Sequence, residues 1–500
     1  MRIVIIFIKV RNLAIDLFAL LFIGLSVGCT LGIVSNLFVK GVASATNLRR
    51  TLFSDSILSS FTPVISLLIA AVIIILIRKV FNITRWHGPP DAILAAHQSN
   101  NSIDVKRGLG STLTAFVSAS GGASVGQYGP LVHFGATVAT FLENFTSKRL
   151  PPGIFIGCGV AAAISAGFNA PIAGLVFAHE AVLRHFSLRA GGAIAISSIT
   201  ASTIGSGVFK ETLGLKIISD APPLIEIVPI VLICSPIFGA LAIFFMYSIR
   251  LGGKTSKASR LSPSYQILFA ALICGSIGLF VPEILGLGTN EMNNIFANQY
   301  EIIFLFIILI GKVFMTSLCI GFGFFGGIFA PALYVGAAGG AFIANSLIAL
   351  GFSLSLPALA LAGTAAVGAV AIGAPIATTL IILEFTGSYE FAVAAMIAVQ
   401  VSTFMAHRLY GDSLFDMALN DRGFKIGLGR QHIQMNDIPL SKILSSEALT
   451  FNENLKIKDV NLQMLNKEVT EAVVINSDNI YIGKISIHDI LQTNLDHEIK

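Results

Sequence analysis

The stretch Gly126-Gln127-Tyr128-Gly129-Pro130 lies in apolar sequence and leads directly into a second apolar run from Leu131. Glycine on each side of the turn lets the backbone expose its N–H groups, and Pro130 suits the first turn of a helix because no N–H is needed there. A helix that begins inside a membrane directs unpaired amides and the positive end of its dipole at whatever lies ahead of it. The stretch therefore predicts a site for a small anion; the alternative is an ordinary Gly/Pro loop between two spans.

Composition restricts the class of protein. Of the 500 residues, 54% are hydrophobic and 12% are charged, and the mean hydropathy is +0.82. A soluble chain of this length could not bury so much apolar surface, and Gly/Ala-rich apolar runs are typical of packed helices rather than a barrel. We therefore predict an all-α polytopic membrane protein embedded in a lipid bilayer. The formal net charge of +5 is small and indicates no nucleic-acid partner.

Cysteine and charge patterns add two expectations. The five cysteines lie in apolar runs without metal-ligand spacing, so we interpret them as core residues and predict no metal site. Basic residues cluster at the N-terminus and at the end of the second apolar run, whereas the loop from Glu283 to Glu301 carries acids and neither Lys nor Arg. The positive-inside rule then predicts that the N- and C-termini are cytoplasmic.

An internal repeat indicates how the helices are arranged. Residues 168–180 read FNAPIAGLVFAHE and residues 372–384 read IGAPIATTLIILE, so each contains Ala-Pro-Ile-Ala with a glutamate nine residues after the proline. Upstream of these, the turn at 126–130 is echoed by GGIFAP at 326–331. Several apolar segments are also too short to span a bilayer. We predict two repeats, at about 61–208 and 265–410, with helices that stop near the midplane and a substrate site between the repeats.

The C-terminal part of the chain has a different character. After Gly423 the sequence becomes polar and mixed, with strand-like segments at 472–475 and 480–485, a turn between them, and a helical segment at 488–493. We predict a membrane domain over 1–425, a basic linker over 426–432, and a small α/β cytoplasmic domain over 433–500.

The motifs taken together resemble one family. With GQYGP at 126–130, FNAP at 168–171, GGIFAP at 326–331 and the SLF…RG stretch at 413–423, the chain resembles the CLC family of chloride channels and chloride/proton antiporters. The likeness covers about residues 12–425, and the tail is similar to a single CBS motif. The resemblance implies an inverted two-repeat fold with broken and tilted helices. It also implies a homodimer with one anion pathway per subunit, in a bacterial inner membrane.

The resemblance also implies a binding site for the anion. Helix N-termini from the loops at 86–90, 126–130 and 326–331 would surround the ion, and the backbone amides of Ile328 and Phe329 would bind it. His87 stands where the family has a serine, and Phe415 stands where it has a tyrosine, so one direct hydroxyl contact is lost. The anion-binding set implied in this way is His87, Gly126, Gln127, Tyr128, Gly129, Gly327, Ile328, Phe329 and Phe415.

The sequence departs most from the family's pattern at the gate position. Tyr128 stands where the family normally has a glutamate, and Gln127 precedes it. A glutamate imitates an anion by its charge and carries a proton, whereas tyrosine stays neutral at physiological pH. Tyr128 is therefore predicted to plug the path or to donate its O–H to an anion. The alternative is that its ring is turned into packing and the path stands open.

A second departure concerns protons. Ala181 occupies the position of the inner proton-relay glutamate, directly after Glu180, and alanine carries no proton. His179 is interpreted as packed rather than as a replacement relay. Lys106 matches a basic residue of the family that favours anions electrostatically, and we adopt that role for it.

The function that follows is passive anion transport. With both proton-handling glutamates replaced, we predict a channel-like pathway for chloride or a similar small anion, uncoupled from protons and restricted by Tyr128. We expect no enzyme activity and no cofactor. The alternatives are an antiporter that uses His87 or His179 or moves another anion, and a non-conducting regulatory protein. For the tail itself we favour a structural cap, and the second interpretation is a sensor that binds an adenine nucleotide.

Overall fold

The computed structural model describes residues 2–52, 59–98, 103–143, 152–209, 221–426, 441 and 448–497. The chain divides into two compact units, Met1–Gln434 and Met435–Lys500. Apart from Ile426, the predicted linker over 426–432 lies outside the described residues.

The larger unit is helical, because in a bilayer the backbone groups of an apolar run must pair within the segment. Its helices in chain order are α1 (Arg2–Leu52), α2 (Thr62–Val80), α3 (Pro89–His97), α4 (Val105–Gly121), α5 (Tyr128–Glu143), α6 (Pro152–Phe168), α7 (Pro171–Phe177), α8 (Leu188–Val208), α9 (Leu224–Ala258), α10 (Pro263–Gly278), α11 (Thr289–Phe296), α12 (Ile302–Gly321), α13 (Phe329–Ala349), α14 (Leu356–Ile372), α15 (Pro375–Thr386), α16 (Tyr389–Leu409) and α17 (Leu414–Asn420). A π-helical turn, Ala178–Leu183, continues α7.

Helix length separates full spans from broken ones. By length and composition, six helices in the described part of the chain could cross a membrane: Ile15–Arg49, Thr62–Val80, Leu224–Ala258, Ile302–Gly321, Phe329–Ala349 and Tyr389–Asn420. Several other apolar helices, such as α6 and α15, are 10–17 residues long. This mixture confirms the predicted all-α polytopic fold with broken helices.

The two repeats meet where their Gly-rich turns touch. Gly126 and Gly327 form an antiparallel bridge in which the Gly126 N–H donates to the Gly327 carbonyl at 2.7 Å and the Gly327 N–H donates back. A Cβ on Gly129 would lie 2.9 Å from the Gly327 Cα, closer than real side chains come, so glycine is needed for this approach. The bridge brings the N-termini of α5 and α13 together, as the repeat predicts.

The glutamate of each repeat caps a helix of the other repeat. The Glu384 carboxylate accepts hydrogen bonds from the N–H groups of Ile172 and Ala173 at 2.9 and 2.8 Å, at the start of α7. The Glu180 carboxylate accepts from the N–H groups of Ile376 and Ala377 at 2.9 and 2.7 Å, at the start of α15. Carboxylates at helix N-termini accept hydrogen bonds from amides that have no partner within the helix, and their negative charge interacts favourably with the positive end of the helix dipole. The Ala-Pro-Ile-Ala…Glu motif is thus a pair of exchanged caps.

Close helix crossings also repeat. In the α5–α6 pair a Cβ on Gly135 would meet the carbonyl of Gly159, and in the α13–α14 pair a Cβ on Gly336 would meet the carbonyl of Gly363. Small residues at such crossings let backbones pack closely inside a membrane. These crossings fix the directions of α5 and α13, whose N-termini carry the candidate site.

The smaller unit is an α/β fold. Strands β1 (Thr450–Asn452), β2 (Glu471–Ile475) and β3 (Tyr481–Ser486) form a sheet in that order, with β1 parallel and β3 antiparallel to β2. Helices α18 (Ile457–Asn466) and α19 (Ile487–His497) accompany them, around a core of Phe451, Val460, Met464, Ala472 and Ile490. The two predicted strands and the following helix are confirmed, whereas α18 and β1, which has a single apolar residue, were not predicted.

Candidate functional site

A cavity of about 710 Å³ opens where several broken helices begin or end. It lies between the loop before α3, the first turn of α5, the Gly-rich loop before α13, the second half of α9, and α17. Five predicted anion-site residues line it: Gly129, Gly327, Ile328, Phe329 and Phe415. We call this space the cationic cavity, because four basic side chains also line it: Arg250, Lys254, Lys257 and Arg422.

Backbone amides are available at one end of the cationic cavity. In the described part of the chain, no hydrogen-bond acceptor is found for the amides of Tyr128, Gly129, Ile328 or Phe329. These are the orphan donors of α5 and α13, and each helix points its positive end toward the same place. The amides of Gly126 and Gly327 are not available, because each donates to the other's carbonyl. A small anion is the ligand that this arrangement suits.

The third helix N-terminus differs from the expectation for loop 86–90. The His87 N–H donates to Ser111 Oγ at 3.0 Å, and the Gly88 N–H donates to Asp91 Oδ2 at 3.0 Å. Pro89 and Pro90 follow and carry no N–H. The first turn of α3 therefore offers its amides to the chain's own carboxylate and hydroxyl. Gly88 and the two prolines still line the cationic cavity, so the loop contributes shape rather than donors.

Asp91 is held by two arginines. Its Oδ1 accepts from Arg85 at 2.7 Å and from Arg422 at 2.9 Å. Helix α3 is not one of the spanning helices. Burial alone would raise the pKa of Asp91, but the hydrogen bond from Arg85 and the charge of Arg422 outweigh it and lower the pKa to about 2. The carboxylate is therefore ionised, and Arg422 ties the end of the membrane unit to the loop that carries His87.

The basic side chains of α9 were not predicted as site residues. Arg250, Lys254 and Lys257 are spaced by four and three residues, which places them on one face of the helix. The sequence shows this cluster, but there it indicated only which side of the membrane is cytoplasmic. Arg250 is paired with Asp421 at 3.1 Å. Among the described residues, Lys254 and Lys257 have no ion-pair partner, so their charges face the cationic cavity unneutralised.

Tyr128 belongs to an aromatic stack behind the cationic cavity. Its side chain is 8% exposed, and its ring stacks on Phe168 with centroids 3.7 Å apart. Phe168 in turn meets Phe329 edge-on at 5.5 Å, and Phe329 lines the cavity. The ring of Tyr128 also packs closely against Gly167, because a Cβ at that position would lie 2.9 Å from a ring carbon. Tyr128 therefore reaches the cavity wall only through Phe168 and Phe329.

Other predicted residues lie outside the cavity lining. His87 is 7% exposed and lies behind Gly88, while Gln127 is 2% exposed and its Oε1 has no partner among the described residues. Lys106 is exposed in the first turn of α4. Ala181 is fully buried, and His179 Nδ1 lies 2.9 Å from the carbonyl oxygen of His185. The roles given to these residues stay predictions.

The fold and the site together define an integral membrane protein built from two inverted repeats of broken helices, with a cationic cavity at their helix N-termini. A family model described as voltage gated chloride channel matches residues 69–407, about two thirds of the chain. The chain belongs to this family, the CLC family. A curated relative, the voltage-gated ClC-type chloride channel ClcB of Escherichia coli (strain SMS-3-5 / SECEC), is 27% identical over 363 residues, covering 71% of this chain and 85% of that protein.

Solved structures show the same fold. A slow cyanobacterial Cl⁻/H⁺ antiporter superposes with a TM-score of 0.73 at 22% identity, covering 81% of this chain and 97% of that chain. A CLC-type fluoride/proton antiporter gives a TM-score of 0.66 at 24% identity, covering 78% and 96%. A eukaryotic CLC transporter gives 0.66 at 17% identity, covering 96% and 89%.

Proposed function

We propose that this chain conducts chloride or a similar small inorganic anion passively, through one pathway in each subunit of a homodimer in a bacterial inner membrane with both termini cytoplasmic. The observation that carries the proposal is the cationic cavity, which ends at the unpaired amides of α5 and α13. Helix N-termini beside a cavity with two lysines that have no ion-pair partner among the described residues attract and hold an anion without a dedicated charged ligand.

The absence of proton coupling rests on two side chains. At position 128 the structure has a neutral phenol in an aromatic stack, and at position 181 it has a buried alanine. Neither group exchanges a proton at neutral pH. An anion that moves past Tyr128 therefore meets no carboxylate that takes its place and carries a proton back.

Support for the homodimer comes from the helices that begin at the exchanged caps. Ile172 on α7 is 54% exposed and Ile376 on α15 is 49% exposed, on helices that contact each other across the two repeats. Apolar side chains on this face suit either lipid or a second copy, and a second copy would also cover the polar N-terminal turns of both helices.

Two other functions are distinguished by experiment. The solved structures named as Cl⁻/H⁺ and fluoride/proton antiporters favour coupled exchange as the second candidate. The packing of Tyr128 on Phe168, which contacts Phe329 in the cavity wall, favours a non-conducting protein as the third. For the smaller unit we propose a structural role first and nucleotide binding second.

The deciding experiment measures anion efflux from liposomes that contain the purified protein, with internal pH recorded in parallel. We expect chloride efflux when a potassium ionophore carries the compensating charge, with no proton movement under a chloride gradient. Proton movement in fixed ratio to chloride would support the antiporter. No flux of chloride, fluoride or nitrate would support the non-conducting protein.

Neutralising Lys254 is expected to slow anion entry. The change Lys254→Gln removes one unpaired charge from the wall of the cationic cavity, and we expect flux to fall about threefold at low ionic strength. The effect should shrink at high concentrations of an impermeant salt, because exposed charges are then screened. Lys79→Gln, an exposed lysine at the end of α2 that does not line this cavity, is the matched control. Equal slowing by both variants, or slowing insensitive to salt, would argue against the role of Lys254.

A further inference from the structure

His133 on α5 is a buried polar side chain for which the described residues supply no hydrogen-bond partner. It is fully buried, and neither ring nitrogen has a hydrogen-bond partner among the described residues. A neutral imidazole carries one donor and one acceptor, and burying both unpaired is costly, so such a side chain calls for an explanation. His133 follows Tyr128 by five residues along α5, but it does not line the cationic cavity.

Two further side chains with metal-ligand chemistry converge on His133. The rings of His87 and His133 have centroids 6.0 Å apart, and His87 Nδ1 lies 4.0 Å from Asp91 Oδ1. One ligand atom from each of the three residues lies within 4.8 Å of the other two. His87 and Asp91 flank the start of α3, whereas His133 comes from α5, so the chain brings the set together only by folding.

The donor set indicates the class of ion. Two imidazoles and one carboxylate are ligands that Zn²⁺, Co²⁺ and Ni²⁺ accept, and three protein ligands leave a position open for water or an anion. Ligand atoms on a tetrahedral ion with bonds of about 2.1 Å lie about 3.4 Å apart, so the three side chains must approach one another by up to about 1.4 Å. Because hydrogen bonds hold Asp91, the site requires this movement from the rings of His87 and His133.

The surroundings of Asp91 fit a ligating carboxylate. Its hydrogen bonds from Arg85, Arg422 and the Gly88 N–H fix its orientation, as outer partners of metal ligands commonly do. The two guanidinium groups also repel a cation and weaken its binding, and an anion or hydroxide in the open position offsets that repulsion.

We propose that His87, Asp91 and His133 form a binding site for a divalent transition-metal ion of the Zn²⁺ class. A bound ion joins the loop before α3 to the first turns of α5. Because Gly88 and Pro89 line the cationic cavity, this link holds one wall of the cavity in place. Metal binding does not depend on the proposed anion conductance, because the experiment below measures the absorption of the bound metal and not anion flux.

The test titrates Co²⁺ into the purified, EDTA-treated full chain in detergent and follows its visible d–d absorption. We expect one Co²⁺ per chain with the intense bands of a four- or five-coordinate site, displaced by equimolar Zn²⁺. His133→Gln should weaken Co²⁺ binding at least about 100-fold, and so should His87→Gln. The matched control is His407→Gln, an exposed histidine on α16, which should leave the titration unchanged.

The outcomes are distinguishable from misfolding and from failure of transport. A variant enters the comparison only if it elutes as the wild type does on size exclusion. X-ray absorption of the Zn²⁺-loaded wild type is independent of any variant and should show scattering from two imidazole rings. Absence of Co²⁺ bands, affinity unchanged in His133→Gln, or a Zn²⁺ sphere without imidazole would each overturn the site, whether or not the liposomes conduct anions.

Discussion

Replacing Glu180 by alanine is expected to lower the free energy of unfolding of the membrane unit by about 2–4 kcal/mol, because two N–H groups at the start of α15 lose their acceptor. The site faces apolar surroundings, where water does not take over the lost bonds. Glu384→Ala should have the same effect through α7. Thermal unfolding in detergent, followed by size exclusion or by the fluorescence of Trp86, measures the loss.

Two variants test whether the loss comes from capping. Glu180→Gln retains one acceptor oxygen but no charge, so it should fall between wild type and Glu180→Ala. Glu301 is exposed at the start of α12 and makes no capping bond, so Glu301→Ala should change stability by less than about 0.5 kcal/mol. If Glu180→Ala were as stable as Glu301→Ala, the exchanged caps would contribute nothing to the fold.

The exchanged caps also show what the sequence can predict. The repeated Ala-Pro-Ile-Ala…Glu motif correctly predicted two related halves, because proline at the first turn of a helix, after Asn169 or Gly373 at positive φ, has a local conformational meaning. It did not reveal the capping role of Glu180. The partner of Glu180 is 197 positions away at Ala377, and nothing in the local pattern says which helix N-terminus a glutamate reaches.

The candidate site likewise contains some residues that the sequence analysis named and others that it did not. Ile328 and Phe329, which the family resemblance implied as backbone ligands, line the cationic cavity, and their binding role stays a prediction. Lys254 and His133 were not predicted as site residues, because the roles proposed for them depend on contacts between separate helices. The helix N-terminus at loop 86–90 was expected to face the anion, but the amides of His87 and Gly88 donate to Ser111 and Asp91. Asp91 three residues after Gly88 was the available signal, since an acid at that position commonly caps its own helix.

Removing the ring of Tyr128 is expected to raise anion flux at least about tenfold. The ring is nearly fully buried and stacks on Phe168, which contacts Phe329 in the wall of the cationic cavity. In Tyr128→Ala the stack loses its outer member and the space beyond it joins the cavity. A gain of tenfold corresponds to about 1.4 kcal/mol off the barrier, a modest part of the cost of moving an anion past an apolar ring. The measurement is chloride efflux from liposomes at matched protein density.

The hydroxyl and the ring of Tyr128 are separated by Tyr128→Phe. If the ring restricts the pathway sterically, Tyr128→Phe keeps wild-type flux, whereas loss of an O–H ligand would change flux or anion preference. Truncating the ring also costs stability, about 3–5 kcal/mol for a buried aromatic, so each variant must first elute as a single species. Tyr389→Ala, exposed on α16, controls for the loss of an aromatic ring elsewhere. Wild-type flux in Tyr128→Ala would show that Tyr128 is packing beside an open path, because the barrier would then lie elsewhere.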